Sequence, residues 1–146
     1  MTTPSLVIDG ITLSIVSFLN FDQSIEPIGG NTMRRMSNGA ALKISHWRKY
    51  RVTFSASGWF PATLMGVDYE TPFEIELPLP IALKAGESLP SGWTQRSGAW
   101  AEVSKTDQDG VTVRVVYVKM TVIAEPPTQR HGFDGTPSWD LICEQV

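Results

Sequence analysis

The sequence has 146 residues, of which 42% are hydrophobic and 18% are charged; this length and balance are typical of one folded domain and unlike those of a disordered chain. A single cysteine excludes an intrachain disulfide and a zinc site built on several thiolates. No apolar run reaches the roughly 18 residues of a membrane-spanning helix, and the first ten residues lack the basic and apolar stretches of a signal peptide, so neither a membrane partner nor export is expected.

The net charge is only −3, but it is distributed unevenly along the chain. Between Glu26 and Asp68 there is no acidic residue. The basic residues in that interval are Arg34, Arg35, Lys43, Arg48, Lys49 and Arg51. The interval therefore carries +6, and the six bases and fifteen acids elsewhere leave −9. Such a two-sided chain suits nucleic acid, an acidic surface, or head-to-tail stacking of copies in which a basic patch meets a neighbour's acidic one.

Copies of the chain fit this charge distribution best. A nucleic-acid-binding domain is usually basic overall and carries its aromatic residues within a recognition motif. Here the overall charge is acidic and no such motif surrounds Trp47 and Tyr50, so nucleic acid is not the expected partner. A solvated strand face with no partner is the alternative interpretation of the basic interval.

The N-terminal third is predicted to contain strands and two hairpins. Residues 11–15 alternate between apolar and polar side chains, and apolar residues then continue on the opposite parity, which predicts a bulge near Val16 and Ser17. The dipeptides Asp9-Gly10 and Asn38-Gly39 each separate two β-like runs. Both predict hairpins with type I′ turns, whose two central residues need positive φ.

Three further segments can be assigned from their periodicity. Residues 48–56 form the cleanest strand pattern, with every second side chain apolar. Residues 71–79 alternate likewise, and the outward Pro72 and Pro78 predict an edge strand. Residues 40–49 fit either a strand or a short helix, and the Asn-Gly turn before them and the β-rich run after them favour the strand.

The longest β-like run covers residues 111–125. At about 3.3 Å per residue it would span roughly 50 Å, several times a usual strand of five or six residues. We therefore expect a strand that is bent, shared between two sheets, or extended into a partner. The apolar side chains on one side of this strand are assigned to a subunit contact, with a sandwich core as the alternative. These residues are Val116, Val118, Met120 and Val122.

These elements together predict an all-β fold: a single-domain antiparallel β-sandwich or partly closed barrel over residues 1–146. The long loops at 85–98 and 126–140 are rich in Gly, Pro, Ser and Asp. Residues 126–146 are interpreted as a C-terminal surface arm that ends in a short strand.

No grouping of residues predicts catalysis, a metal or a cofactor. The sequence contains no nucleophile elbow, P-loop or dinucleotide-binding glycine motif. His131, Asp134 and Asp140 match no metal-ligand spacing. Glu74 and Glu76 lie on one strand, whereas the carboxylates of a glycosidase flank the scissile bond. We therefore expect a protein that is not an enzyme and that binds neither metal nor cofactor.

The chain is rich in tryptophan, with five residues of this type. Those in or beside predicted loops are Trp59, Trp93, Trp100 and Trp139. Exposed indole rings on a β-sandwich can stack against sugars. A carbohydrate-binding module that contacts a host glycan is therefore the main alternative function. Tryptophan is also enriched at subunit contacts, which is the competing explanation.

One stretch of about 30 residues resembles a known class of protein. It reads T-M-R-R-M-S-N-G over 32–39 and H-W-R-K-Y-R-V-T-F-S over 46–55, and a turn at 58–61 follows. This pattern is similar to that of small virion-associated proteins of tailed bacteriophages. The resemblance implies a β-rich structural subunit of the tail or baseplate, made in the host cytoplasm and located in the virion. A head decoration protein or a head-to-tail connector fits the same pattern.

The expected mechanism is assembly with copies of the chain and with other virion proteins. Rings or tubes need heterologous interfaces, in which two different surfaces of the same chain meet. The bases expected to pair with acids of a neighbour are Arg34, Arg35, Arg48, Lys49 and Arg51. The strand over 111–125 would add apolar contact. Such an assembly would weaken as salt screens the charges.

Overall fold

The computed structural model describes residues 5–13, 19–98, 102–106 and 108–146. Over these residues the chain is all β with antiparallel pairing and no α-helix, and a 3-10 helix spans Ala62–Gly66. The strands are β1 (Val7–Ile8), β2 (Ile11–Thr12), β3 (Leu19–Ile28), β4 (Asn31–Arg35), β5 (Ala41–Ser45), β6 (Lys49–Ser57), β7 (Phe73–Glu76), β8 (Ile81–Lys84), β9 (Trp93–Gln95), β10 (Glu102–Thr106), β11 (Thr112–Val116), β12 (Val118–Ala124), β13 (Thr128–His131) and β14 (Pro137–Gln145).

Most of these strands belong to one main sheet. In the described part of the chain its order is β2-β1-β7-β12-β14-β6-β3, with β13 beside β14 and β9 beside β12. The sheet does not close into a barrel. A smaller sheet has the order β10-β11-β8, and β4 pairs with β5. The predicted all-β antiparallel fold is therefore confirmed.

The core lies on the inner face of the main sheet, where alternate side chains of the central strands are buried. Phe54 of β6 and Trp139 of β14 have no exposed surface. Phe54 alternates with half-buried neighbours as predicted for residues 48–56, and the same period-two pattern surrounds Trp139 in β14. Leu83 and Val116 of the smaller sheet and Leu64 of the 3-10 helix belong to the same hydrophobic cluster. Those elements therefore cover the inner face of the main sheet.

One charged side chain is part of this interior. Arg96 is only 8% exposed, and its Nη1 donates hydrogen bonds to the carbonyl oxygens of Ser5 at 3.0 Å and Leu77 at 2.9 Å. Burial lowers the pKa of Arg96, and the carboxylate of Glu76, 3.9 Å from its Nη2, acts in the opposite direction. The guanidinium thus links the N-terminal segment to the end of β7.

The long run over residues 111–125 is divided between the two sheets. β11 belongs to the smaller sheet and β12 to the main sheet, with Tyr117 between them, which was one of the predicted outcomes. The apolar residues assigned to a subunit contact are at most 2% exposed: Val116, Val118, Met120 and Val122. They pack within the chain's own core, so the structure corrects that assignment: they offer no apolar surface to a neighbour.

Two predictions about strand position are corrected. β7 lies between β1 and β12 and is not an edge strand. Pro72 and Pro78 stand just outside its ends, where no ladder hydrogen bond is required of them. β14 is a central strand between β12 and β6, so residues 137–145 belong to the body and not to a surface arm. The reason is that residues 137–145 bury three apolar side chains in the core, those of Trp139, Leu141 and Cys143.

Both predicted hairpins are present, but only one has the predicted turn. Asp9 and Gly10 both have positive φ, as a type I′ turn requires. In the second hairpin only Gly39 has positive φ, at 83°, and its N donates to Met36 O at 2.9 Å. That turn is therefore a type I turn followed by a left-handed glycine. Residues 40–49 contain strand β5, as favoured, and the bulge predicted near 16–17 lies outside the described residues.

Candidate assembly surface

The chain's most exposed strand pair is the hairpin formed by β4 and β5. We call residues 31–48 the projecting hairpin, because every residue in that range is exposed. Among the described residues β4 and β5 pair with each other and with no third strand. Each strand spans about 17 Å at the usual rise per residue. The hairpin thus prolongs the β3–β6 pair beyond the body of the protein.

A tight crossing separates the projecting hairpin from the body. The N–H of His46 donates to Gly30 O at 2.8 Å. A Cβ added to Gly29 would lie 2.4 Å from Trp47 O, and one added to Gly30 would lie 2.3 Å from Trp47 Nε1. Only glycine allows the chain to approach the tryptophan so closely. Trp47, itself 53% exposed, therefore packs on the base of the hairpin.

Both faces of the projecting hairpin carry apolar side chains among polar ones. On one face Ile44 stands opposite Thr32 and Leu42 opposite Arg34; Leu42 is 45% exposed and Ile44 is 41% exposed. On the other face Lys43 stands opposite Met33 and Arg35 opposite Ala41. An isolated two-stranded hairpin is marginally stable in water. Exposed apolar side chains on such a hairpin, set among polar residues, are typical of a surface that a partner covers.

The basic residues of the predicted interface have different environments. Arg34, Lys43 and Arg48 lie within 4 Å of no carboxylate among the described residues. Arg35 donates to Gly39 O at 3.1 Å within the turn. Lys49 is half-buried at the start of β6. Most of the hairpin's positive charge is therefore not neutralised by the described part of the chain.

Arg51 is the exception among the basic residues. It lies in the main sheet, where its guanidinium contacts Glu144 at 2.8 Å and Glu26 at 2.9 Å. Its hydrogen bonds to Glu144 and then to Glu26 raise the pKa of Arg51. Its charge is already balanced within the chain, so it offers less to a neighbour than Arg34 or Lys43.

A second surface feature is a groove on the outer face of the main sheet, with a volume of about 340 Å³. Its lining is Tyr69, Glu70, Ile123, Ala124, Glu125, Pro126, Ile142 and Glu144. We call it the acidic groove. Ile123 is 44% exposed and Ile142 is 50% exposed. Glu144 is held by Arg51, but Glu70 and Glu125 lie within 4 Å of no basic group among the described residues.

The tryptophans predicted as sugar-stacking platforms separate into three groups. Trp139 is fully buried, and Trp93 is 7% exposed and packs edge to face on Tyr50 with the ring centroids 4.9 Å apart. The structure corrects both assignments, because a buried ring cannot stack on a sugar. Trp100 lies outside the described residues. Trp59 is 66% exposed, so the glycan alternative depends on this residue within the described part.

The residues considered for metal binding are not brought together. Asp134 Oδ1 accepts a hydrogen bond from Thr136 N at 3.0 Å, which holds the pKa of Asp134 below its usual value. Asp140 Oδ2 contacts Arg130 at 2.9 Å. Among the described residues no three His, Cys, Asp or Glu side chains cluster as metal ligands would. Across the same residues, no helix combines the length and the hydropathy of a membrane span.

The pair of glutamates on β7 and the single cysteine take part in the packing and ion pairs of the fold. Glu74 and Glu76 lie in separate ion pairs, with Lys119 at 3.7 Å and Arg96 at 3.9 Å respectively. Cys143 is buried, and burial raises the pKa of its thiol to about 12. A thiol with so high a pKa remains protonated and unreactive at neutral pH.

The chain was compared with protein-family models, with curated proteins and with solved structures, and none of the three comparisons finds a match. The residues that form the two surfaces were only partly identified from the sequence. The acid-free interval and the Asn38-Gly39 turn located the basic hairpin. Nothing in the sequence grouped Glu70 with Glu125, because these residues meet only through the fold.

Proposed function

We propose that this chain is a non-enzymatic structural subunit of a tailed-phage virion, a component of the tail or baseplate that assembles into rings or tubes. One observation carries the proposal. The projecting hairpin presents apolar side chains and unpaired bases, and the described part of the chain leaves all of its residues exposed. The resemblance of residues 32–39 and 46–55 to virion-associated proteins supports the choice of particle.

Assembly is the role that such a hairpin fits. Fully burying a Leu or Ile side chain contributes about 1.5–3 kcal/mol, whereas bringing two proteins together costs about 4–15 kcal/mol. Leu42 and Ile44 are less than half exposed, so their burial alone does not offset that cost, and a contact between two subunits also needs the unpaired charges and the apolar side chains of the partner. In a ring or tube each subunit both gives and receives the contact, so weak contacts accumulate.

The test is the state of the purified chain at high concentration, measured by sedimentation velocity and negative-stain imaging. We expect rings or tubes at about 0.01 M salt and their loss at about 1 M, because the Debye length falls from about 30 Å to about 3 Å. The variant Leu42→Ser/Ile44→Ser should not assemble. The variant Met65→Ser/Val146→Ser, which also removes two exposed apolar side chains, should assemble normally. A wild-type chain that is monomeric in low salt at high concentration would overturn the proposal.

A further inference from the structure

We propose that the surface receiving the projecting hairpin is the acidic groove of a second copy of this chain. This inference rests on the proposed function and names the partner surface within the assembly. The hairpin and the groove are different surfaces of one molecule, and no hairpin residue lines the groove of its own chain. Each copy can therefore give its hairpin to one neighbour and receive the hairpin of another, as an open or ring-forming chain of subunits requires.

The charges of the two surfaces are complementary. Residues 31–48 contain four bases and no acid, and Arg34, Lys43 and Arg48 contact no carboxylate in the described structure. Arg34 shares the face of Leu42 and Ile44, whereas Lys43 lies on the other face. The groove contains Glu70 and Glu125, which contact no base there. Opposite charges arranged in this way orient two surfaces as they meet and disfavour wrong pairings.

The apolar side chains of the two surfaces also match. Ile123 and Ile142 are about half exposed in the groove, and Leu42 and Ile44 are similarly exposed on one face of the hairpin. Contact between these pairs would remove exposed apolar surface on both sides. The groove's carboxylates would repel nucleic acid and an anionic membrane surface, so a basic and partly apolar segment is the occupant that fits both features. The hairpin of another copy has this composition.

Charge reversal tests this contact directly. One variant, Arg34→Glu/Lys43→Glu/Arg48→Glu, reverses the unpaired bases and makes the hairpin acidic, changing the charge of residues 31–48 from +4 to −2. Arg35 is left in place because it bonds within the turn. The other, Glu70→Lys/Glu125→Lys, makes the groove basic; Glu144 is left because it holds Arg51. Each variant alone should associate at least about tenfold more weakly than the wild type, because every hairpin then meets a groove of like charge.

Mixing the two variants provides the decisive measurement. In an equimolar mixture the acidic hairpin fits the basic groove and the basic hairpin fits the acidic groove, so alternating assemblies should recover the wild-type association constant by sedimentation velocity. The controls are Lys84→Glu/Lys105→Glu and Asp22→Lys/Glu87→Lys, which shift the net charge in the same two directions at exposed sites elsewhere. Both controls should assemble alone.

The outcomes separate this inference from the proposed function. If the wild type assembles and the hairpin variant does not, but the groove variant assembles alone or the mixture does not recover, the hairpin binds another surface and the inference is overturned. If the wild type is monomeric, the proposed function fails first. Circular dichroism of each variant confirms that loss of assembly is not loss of folding.

Discussion

The β6–β14 pair and the β4–β5 pair are both antiparallel ladders of the same chain, yet they differ in every property beyond the ladder. In β6 and β14 alternate side chains are buried, including Phe54 and Trp139. In β4 and β5 no side chain is buried. The contrast shows that pairing alone does not create a core: a second layer covers the inner face of the main sheet, and none in the described structure covers the hairpin.

This difference divides the molecule into a part that stabilises itself and a part that depends on others. The body obtains its stability from apolar burial, which is the dominant favourable term in folding. The projecting hairpin obtains little from its own side chains, and its order comes from the turn at Gly39 and the crossing at Trp47. Substitutions in the two regions should therefore affect different measurements.

The largest expected effect comes from a matched pair of leucines in the two regions. Leu141→Ala removes a side chain that is 1% exposed, and we expect the free energy of unfolding to fall by about 2–5 kcal/mol, the usual cost of a core cavity. Leu42→Ala removes one that is 45% exposed and should change it by at most about 0.5 kcal/mol. Urea denaturation under conditions that keep the chain monomeric measures both.

The same two variants should reverse their order in an assembly assay. Leu42→Ala should reduce self-association, since it removes part of the exposed apolar face, while Leu141→Ala should assemble whenever it is folded. Equal losses of stability for the two variants would contradict the division into a self-stabilised body and a dependent hairpin.

The parts of the fold that were predictable have local signals. The alternation in residues 48–56 and the Asn38-Gly39 turn are each formed by residues that are close together in the sequence. The strand and the hairpin could therefore be predicted from them. Position within the sheet was not predictable, because it depends on pairing between distant segments. β14 joins β6 across 85 positions, as in the contact of Ser55 with Asp140, and that pairing turned a presumed surface arm into a central strand.

The candidate site shows the same limit. The absence of acids near Arg34 was visible in the sequence, but periodicity could not show that the hairpin would have no second layer. Likewise, nothing local indicated that Arg51 would be neutralised by Glu26 and Glu144 from two neighbouring strands. Charge composition can be read from a sequence, whereas charge compensation is a property of the fold.

A pH titration should sharpen the contrast through Cys143. Burial raises the pKa of this thiol from 9.0 to about 12, so the folded chain keeps a proton that the unfolded chain releases above pH 9. The stability that the protonated thiol contributes is therefore complete below that pH and is lost as the pH rises toward 12. At pH 10 the thiol should account for a loss of about 1 kcal/mol in the free energy of unfolding.

The variant Cys143→Ala isolates this effect, because burial also raises the pKa of Tyr69 and other groups titrate in the same range. The difference in unfolding free energy between wild type and variant should shrink by that amount between pH 8 and pH 10. A constant difference would show that the thiol is not held protonated by the core. The projecting hairpin contains no buried titratable group. The hydrogen-exchange protection of its amides should therefore not follow the difference in unfolding free energy between wild type and Cys143→Ala.

A small effect on overall stability, together with a local effect on the hairpin, is expected at the junction of the two regions. Gly30→Ala places a methyl group against the indole of Trp47, which must move away, and this loosens the base of the projecting hairpin. We expect faster hydrogen exchange in peptides covering residues 31–48 but a change of less than about 1 kcal/mol in global unfolding, because local opening there does not require the core to open. Gly66→Ala is the control, since a Cβ there meets no atom within 4 Å. Unchanged exchange in the hairpin of Gly30→Ala would mean that Trp47 does not hold it in place.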